Sequence, residues 1–260
     1  MFDAITERQA QIAERVRQRG FQTVTELADH FDVTTQTIRR DINELSEFGI
    51  LKRRHGGAEI PVPLDNLGFG ERRILNQSAK ESIGRTVARY IPNGASLAVS
   101  IGTTPEIAVR HLKRHRDLKV FTNSLMAALG ACAAPGSEIH VPGGPVRTGA
   151  RDVVGREVEE FFDRYKVDIG LYGVGGVDAD GQLLDFHEEE IRVREAIRRN
   201  SRTVFLVLDA SKFGRPAHVR GGRLTDADVI FCDRAPPAPI RAKIAAAGGQ
   251  LILCEEETLV

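Results

Sequence analysis

At 260 residues the chain exceeds the usual size of one domain, so a small domain followed by a medium one is the natural expectation. Its 36 basic and 36 acidic residues cancel and the pI lies near 7.1, so net charge draws it neither to nucleic acid nor to an acidic membrane. Three cysteines without C-x-x-C spacing speak against disulfides and structural metal. The longest apolar runs, such as Thr203 to Leu208, fall far short of the ~20 residues that span a bilayer, and no signal-peptide pattern is read, which makes the reducing cytoplasm the expected location.

Glu7 to Arg19 puts Ile12, Ala13 and Val16 on one face of a first helix, and Gly20 ends it. Val24, Leu27, Ala28 and Phe31 then fall at i, i+3, i+4 and i+7, the apolar stripe of a second helix that Asp32 closes. Val33 plugs a tight turn, and either Thr34 or Thr35 can cap the helix that follows. There Ile38, Ile42 and Leu45 point back at the second helix and leave Thr35, Gln36, Arg39, Arg40 and Asn43 exposed or partly so. That is a helix-turn-helix. Arginine matches guanine O6 and N7 and glutamine matches adenine N6 and N7, so Gln36, Thr37 and Arg39 are assigned to base edges in a major groove. Arg40 and the cap residues suit phosphates.

Gly49 reads as the helix stop, Ile50 to Arg54 as a strand, and His55-Gly56-Gly57 as a turn into a second strand near Ala58 to Ile60. The pair forms a wing that lays Lys52, Arg53, Arg54 and His55 beside the nucleic-acid backbone. The same charges would suit the solvated face of an ordinary helical domain. Within the first sixty residues, ten acidic groups even outnumber nine basic ones, so affinity for DNA must rest on the five basic residues clustered on the reading helix and wing.

Ile60-Pro61-Val62-Pro63 and Leu64-Asp65-Asn66 break helix and strand patterns alike, which divides the chain into a winged helix-turn-helix domain over 1–60, a linker over 61–70 and a second domain over 71–260. Glu71 to Tyr90 reads as helix, interrupted near Asn76. Strands at 96–100, 118–121, 138–141, 167–172, 204–208, 229–232 and 250–253 then alternate with helices at 125–132, 189–199 and 240–247. Short apolar strands, mostly followed by helices, imply an α/β domain with a mainly parallel sheet covered on both faces.

Ligands of such sheets bind beyond the strands' carboxyl ends. Ser100-Ile101-Gly102-Thr103-Thr104 is a strand, a glycine turn and a helix start, a pattern that can hold a phosphate through backbone N–H groups and two hydroxyls, although a lone G-T-T equally suits a capped turn with no ligand. Thr122 and Asn123, then Gly143, Gly144 and Arg147, then Gly175 and Gly176 follow other strands and should converge on the same edge, with Lys80, Glu190 and Lys212 as the charged groups. His187-Glu188-Glu189-Glu190 lacks the second histidine of a zinc hydrolase, and Gly173 to Gly176 is not G-x-G-x-x-G, so neither a metal nor a dinucleotide cofactor is expected.

The stretches ERQAQIAERVRQRGFQTVTELADHF, VTTQTIRRDINEL and ILKRRHGGA resemble the DeoR family of bacterial transcriptional regulators, and SIGTTPE, FTN, PGG, YGVGGVD, LDF and ASKFG resemble its effector domain. The resemblance implies a C-terminal fold related to ribose-5-phosphate isomerases and acyl-CoA transferases. It also implies a homo-oligomer, dimer or tetramer, that represses a carbon-catabolism operon by binding double-stranded operator DNA and is released by a phosphorylated sugar or polyol, with glycerol 3-phosphate favoured. Where family members usually carry an acidic or amide residue this chain has Ser100, which is too short to grip two hydroxyls. The competing reading is an isomerase-like enzyme with Glu190 as base and Lys212 as electrostatic partner.

Overall fold

The computed structural model describes residues 5–48, 50–59 and 68–254, with only the backbone of Arg17 and Gln18. Gly49, Ile60 and most of the expected linker, residues 61–67, lie outside that description. The chain divides into two compact units, Met1–Gln77 and Ser78–Val260.

The N-terminal unit opens with α1 (Glu7–Arg19), followed by β1 (Gln22–Thr23), α2 (Val24–Phe31) and α3 (Thr35–Glu47). The strands β2 (Lys52–Arg54) and β3 (Gly57–Glu59) and the short α4 (Phe69–Ile74) complete it. The expected apolar stripes meet in one core, where Ile12, Val16, Leu27, Ile38, Ile42 and Leu45 are buried with Ile50, Leu51 and Ala58. Thr23 caps α2 through a reciprocal bond pair with Glu26, and Asp32 ends that helix in the left-handed region at φ 50°. Of the two threonines that could cap α3, Thr34 does so, accepting from the Thr37 N–H at 3.2 Å.

The wing is one strand wider than the sequence suggests, because β1 joins it to give the order β1-β3-β2. Two polar residues carry no strand pattern. Gly57 records the contact instead, since a Cβ there would lie 2.2 Å from the Gln22 carbonyl oxygen.

The C-terminal unit begins with α5 (Gln77–Arg89), separated from α4 by Asn76 at φ 56°, where the sequence pattern breaks. It continues through β4 (Ser96–Val99), α6 (Thr103–Arg110), β5 (Lys119–Thr122), α7 (Leu125–Ala131) and β6 (Glu138–His140). A hairpin of β7 (Val146–Arg147) and β8 (Asp152–Val153) leads to α8 (Arg156–Asp163) and β9 (Val167–Tyr172). After β10 (Gly176–Val177) and β11 (Gln182–Asp185) come α9 (Glu188–Arg199), β12 (Ser201–Val207) and β13 (Val219–Arg223), and then β14 (Val229–Cys232), α10 (Ala238–Ala246) and β15 (Gln250–Leu253).

Seven strands form one sheet in the order β15-β14-β12-β9-β4-β5-β6, and every pairing is parallel. Apolar clusters lie on both faces, as a fully covered parallel sheet requires. From β4 the chain first builds outward through β5 and β6, then returns to β9 and builds the other way, so the crevice beyond β4 and β9 is the topological switch point. The strands β10, β11 and β13, with the β7–β8 hairpin, form small antiparallel sheets that the sequence pattern did not reveal.

Arg194 ties that second sheet to α9. It is 2% exposed, donates to Asp185 on β11 and to the Gly221 carbonyl on β13, and lies over the Tyr172 ring. Asp185→Ala would strand a buried cation, at a cost of about 3–5 kcal/mol. Urea unfolding followed by far-UV circular dichroism, suited to a chain without tryptophan, should show a lower midpoint for the C-terminal unit; an unchanged midpoint would contradict the role given to this pair.

Candidate functional site

Each unit presents one site. On the N-terminal unit, burial of Ile38, Ile42 and Leu45 leaves Thr35, Gln36, Arg39, Arg40 and Asn43 exposed on α3, with Thr37 half-buried beside the cap. Lys52, Arg53, Arg54 and His55 are all exposed on the wing. Two of these cations have partners on the protein: Arg40 bonds Glu44 at 3.0 Å and Arg54 bonds Glu59 at 2.7 Å. Arg40 and Gln9 together hold the Glu44 carboxyl below its ordinary range. Such exposed pairs are weak and exchange easily for a phosphate.

Sequence reasoning missed how α3 is held. Asp41 is buried in the middle of the helix, where Arg8 donates to it at 2.8 Å and Gln9 at 3.2 Å, both from α1. An aspartate three residues after Ile38 and four before Leu45, and so on the apolar stripe, was the available signal. A carboxylate taken into a core demands donors, and here they fix the pitch of the exposed face.

On the C-terminal unit, Ser100, Asn123, Arg147 and Glu190 come together, as expected of groups beyond the strand ends, and line one cavity with Asp152, Glu159, Glu189 and Arg192. Arg147 closes it. Its guanidinium bonds both Asp152 oxygens at 3.1 and 2.8 Å and reaches across to Glu190 at 2.9 Å. Burial opposes the charge on Arg147, yet the two carboxylates hold its pKa above the ordinary value. With this bridge in place, the cavity measures about 10 Å³, roughly the room of one water molecule.

Gly102, Thr103 and Thr104 continue from the cavity wall at Ser100 and Ile101 into the first turn of α6. Gly102 has φ 131°, a conformation that favours glycine, and both threonines are buried. Pro105 lies against the turn after β9, 3.4 Å from where a Cβ of Gly173 would be, which places this helix start at the switch point.

The remaining candidates serve the frame or stand apart from the cavity lining. Thr122 spends its hydroxyl on the Val99 carbonyl at 2.8 Å and on the Ser124 N–H at 3.1 Å. The Gly175 N–H donates to Asp185 at 2.7 Å, and a Cβ on Gly176 would lie 2.2 Å from the Arg215 carbonyl, so backbone approach accounts for both glycines. Gly143 and Gly144 are exposed in the loop before β7. Lys80 is buried on α5 and Lys212 is half-buried in a turn after β12; neither lines the cavity. Asp152 was missed because it sits in a two-residue strand.

No group of three His, Cys, Asp or Glu residues suited to a metal occurs among the described residues, and His187, Glu188 and Glu189 are exposed at the start of α9. Nor is any described helix long and apolar enough to cross a membrane.

Comparison with known proteins bears on both units. The model of the DeoR-like helix-turn-helix domain matches residues 8–63 and that of the DeoR C-terminal sensor domain matches residues 75–234. The chain is 39% identical to the glycerol-3-phosphate regulon repressor of Escherichia coli K12 over 96% of its own length and 99% of the relative's. It is 34% identical to the HTH-type transcriptional repressor CsqR of the same organism, over 96% of each. Among solved structures, a D-ribose-5-phosphate isomerase in complex with phospho-erythronic acid aligns over 53% of this chain and 54% of that one, at 14% identity and a TM-score of 0.39. The chain therefore belongs to the DeoR family of transcriptional regulators, with a DNA-binding helix-turn-helix domain joined to a C-terminal sensor domain.

Proposed function

We propose that the chain is a repressor of a carbon-catabolism operon which binds double-stranded operator DNA through α3 and the wing, and which glycerol 3-phosphate releases. The single observation that carries this reading is that the cavity and the α6 turn lie side by side at the sheet's switch point. The name borne by the 39% identical relative favours glycerol 3-phosphate over other phosphorylated sugars or polyols. A dianionic phosphate at Gly102-Thr103-Thr104 gains charge-assisted bonds that neutral glycerol lacks. The protein acts in the cytoplasm as a dimer or tetramer, because one winged helix reads only a few base pairs.

Entry of a ligand into so small a cavity requires Arg147 and Glu190 to part. Glu190 belongs to the first turn of α9, so occupied and empty states differ in structure, which is what allows a ligand to favour one arrangement over the other. The chain is not an enzyme in this reading. Glu190 is engaged by Arg147, and Lys212 is absent from the cavity lining, which leaves an isomerase without its base and electrostatic partner in one place. Isomerisation of pentose or triose phosphates that disappears with Glu190→Ala would overturn this assignment.

Arg39→Ala is expected to lose about 1–3 kcal/mol at the operator and relax preference at one base position, whereas Arg53→Ala should weaken all sequences alike and lower the salt slope by about one. Binding titrations at several fixed salt concentrations check both; unchanged affinity and base preference for Arg39→Ala would refute the placement of α3. Thr103→Ala combined with Thr104→Ala should retain operator binding and lose induction. Calorimetry of the unsubstituted chain with glycerol 3-phosphate, glycerol and a hexose phosphate identifies the inducer directly, and preference for the hexose phosphate would refute glycerol 3-phosphate.

A further inference from the structure

The charge of the sensor cavity is wrong for a phosphate. Four carboxylates, Asp152, Glu159, Glu189 and Glu190, face two arginines, and both arginines are matched: Arg147 by Asp152 and Glu190, Arg192 by Glu159 at 3.0 Å. A dianion placed among them would meet a net negative wall. The cavity is therefore suited to the uncharged, hydroxylated part of a ligand whose phosphate lies at the α6 turn.

One residue of the wall carries an atom that calls for such a group. Asn123 is 2% exposed, and its Nδ2 donates to the Val153 carbonyl at 3.0 Å. That bond fixes the amide's orientation, because flipping it would set two acceptor oxygens against each other. The main chain of Asn123 is tied to the same residue, its carbonyl accepting from the Val153 N–H at 2.9 Å, so the side chain is held from both ends. Its Oδ1 is buried and has no hydrogen-bond partner on the protein. Buried polar atoms without partners are uncommon, and an amide oxygen can only accept.

We infer that Asn123 is a specificity-determining residue whose Oδ1 accepts a hydrogen bond from an effector hydroxyl, so that the sensor domain selects a phosphorylated polyol over the corresponding ketone or deoxy compound. The inference rests on the effector reading above. A carbonyl in the hydroxyl's place would oppose Oδ1 with a second acceptor, and a methylene would leave it unpaired.

The test is calorimetry of the full-length chain with glycerol 3-phosphate, dihydroxyacetone phosphate, 3-hydroxypropyl phosphate, which lacks the secondary hydroxyl, and inorganic phosphate. Glycerol 3-phosphate should bind about tenfold or more tightly than each of the other three. Asn123→Ala should remove that preference while leaving affinity for 3-hydroxypropyl phosphate nearly unchanged. The comparison among ligands on the unsubstituted chain stands even if Asn123→Ala does not fold. Equal binding of glycerol 3-phosphate and its two analogues would overturn the hydroxyl contact and spare the phosphate effector. Inorganic phosphate binding as tightly as glycerol 3-phosphate would do the same. No binding of any phosphate would overturn the effector reading and this inference together.

Discussion

A parallel sheet constrains everything in the sensor domain. Each strand must be reached by a crossover along one face, so all carboxyl ends open on one edge, and a crevice forms only where the crossovers change direction. Here that point lies beyond β4 and β9, and the residues after β4, β5 and the β7–β8 hairpin meet beside it. The cavity is a consequence of strand order before it is a consequence of any side chain. What side chains add is closure, because Arg147, on a two-residue strand outside the main sheet, reaches both Asp152 beside it and Glu190 on α9.

Much of this was legible where burial is one-sided or complete. The boundaries of α1, β9, β14 and β15 were read as they stand, because an amphipathic helix of 13 residues, the almost wholly buried strands β9 and β14, and the apolar run of the more exposed β15 leave recognisable patterns. Asn76 marked its own break between α4 and α5. The two-residue strands β1, β7, β8 and β10 were illegible for the opposite reason: a strand that short has no period. The sequence over α8 did carry its signal, Val158, Phe161 and Phe162 at i, i+3 and i+4, and so did Arg194, an arginine on the stripe of Val193 and Ile197.

The candidate site was legible in part for a related reason. Ser100, Asn123, Arg147 and Glu190 follow strands or open a helix, and topology alone gathers them. Thr122, Gly175 and Gly176 occupy equivalent places in the sequence, yet their polar groups or their missing side chains are consumed by the fold. A residue type at a strand end says where a group is. Only hydrogen-bond accounting says whether it is available, and by that accounting Asn123 Oδ1 is available and the Gly175 amide is not.

The central claim is that ligand binding in the sensor domain and DNA binding by the winged helix draw on one conformational equilibrium. Thermodynamic linkage makes this strict: whatever factor the effector removes from DNA affinity, DNA must remove from effector affinity. The most direct measurement is the dissociation constant of glycerol 3-phosphate for the full chain, determined by calorimetry with and without saturating operator DNA. The account predicts affinity about tenfold to a hundredfold weaker on DNA, matching the effector's own effect on operator binding. Equal affinity in the two titrations would contradict it.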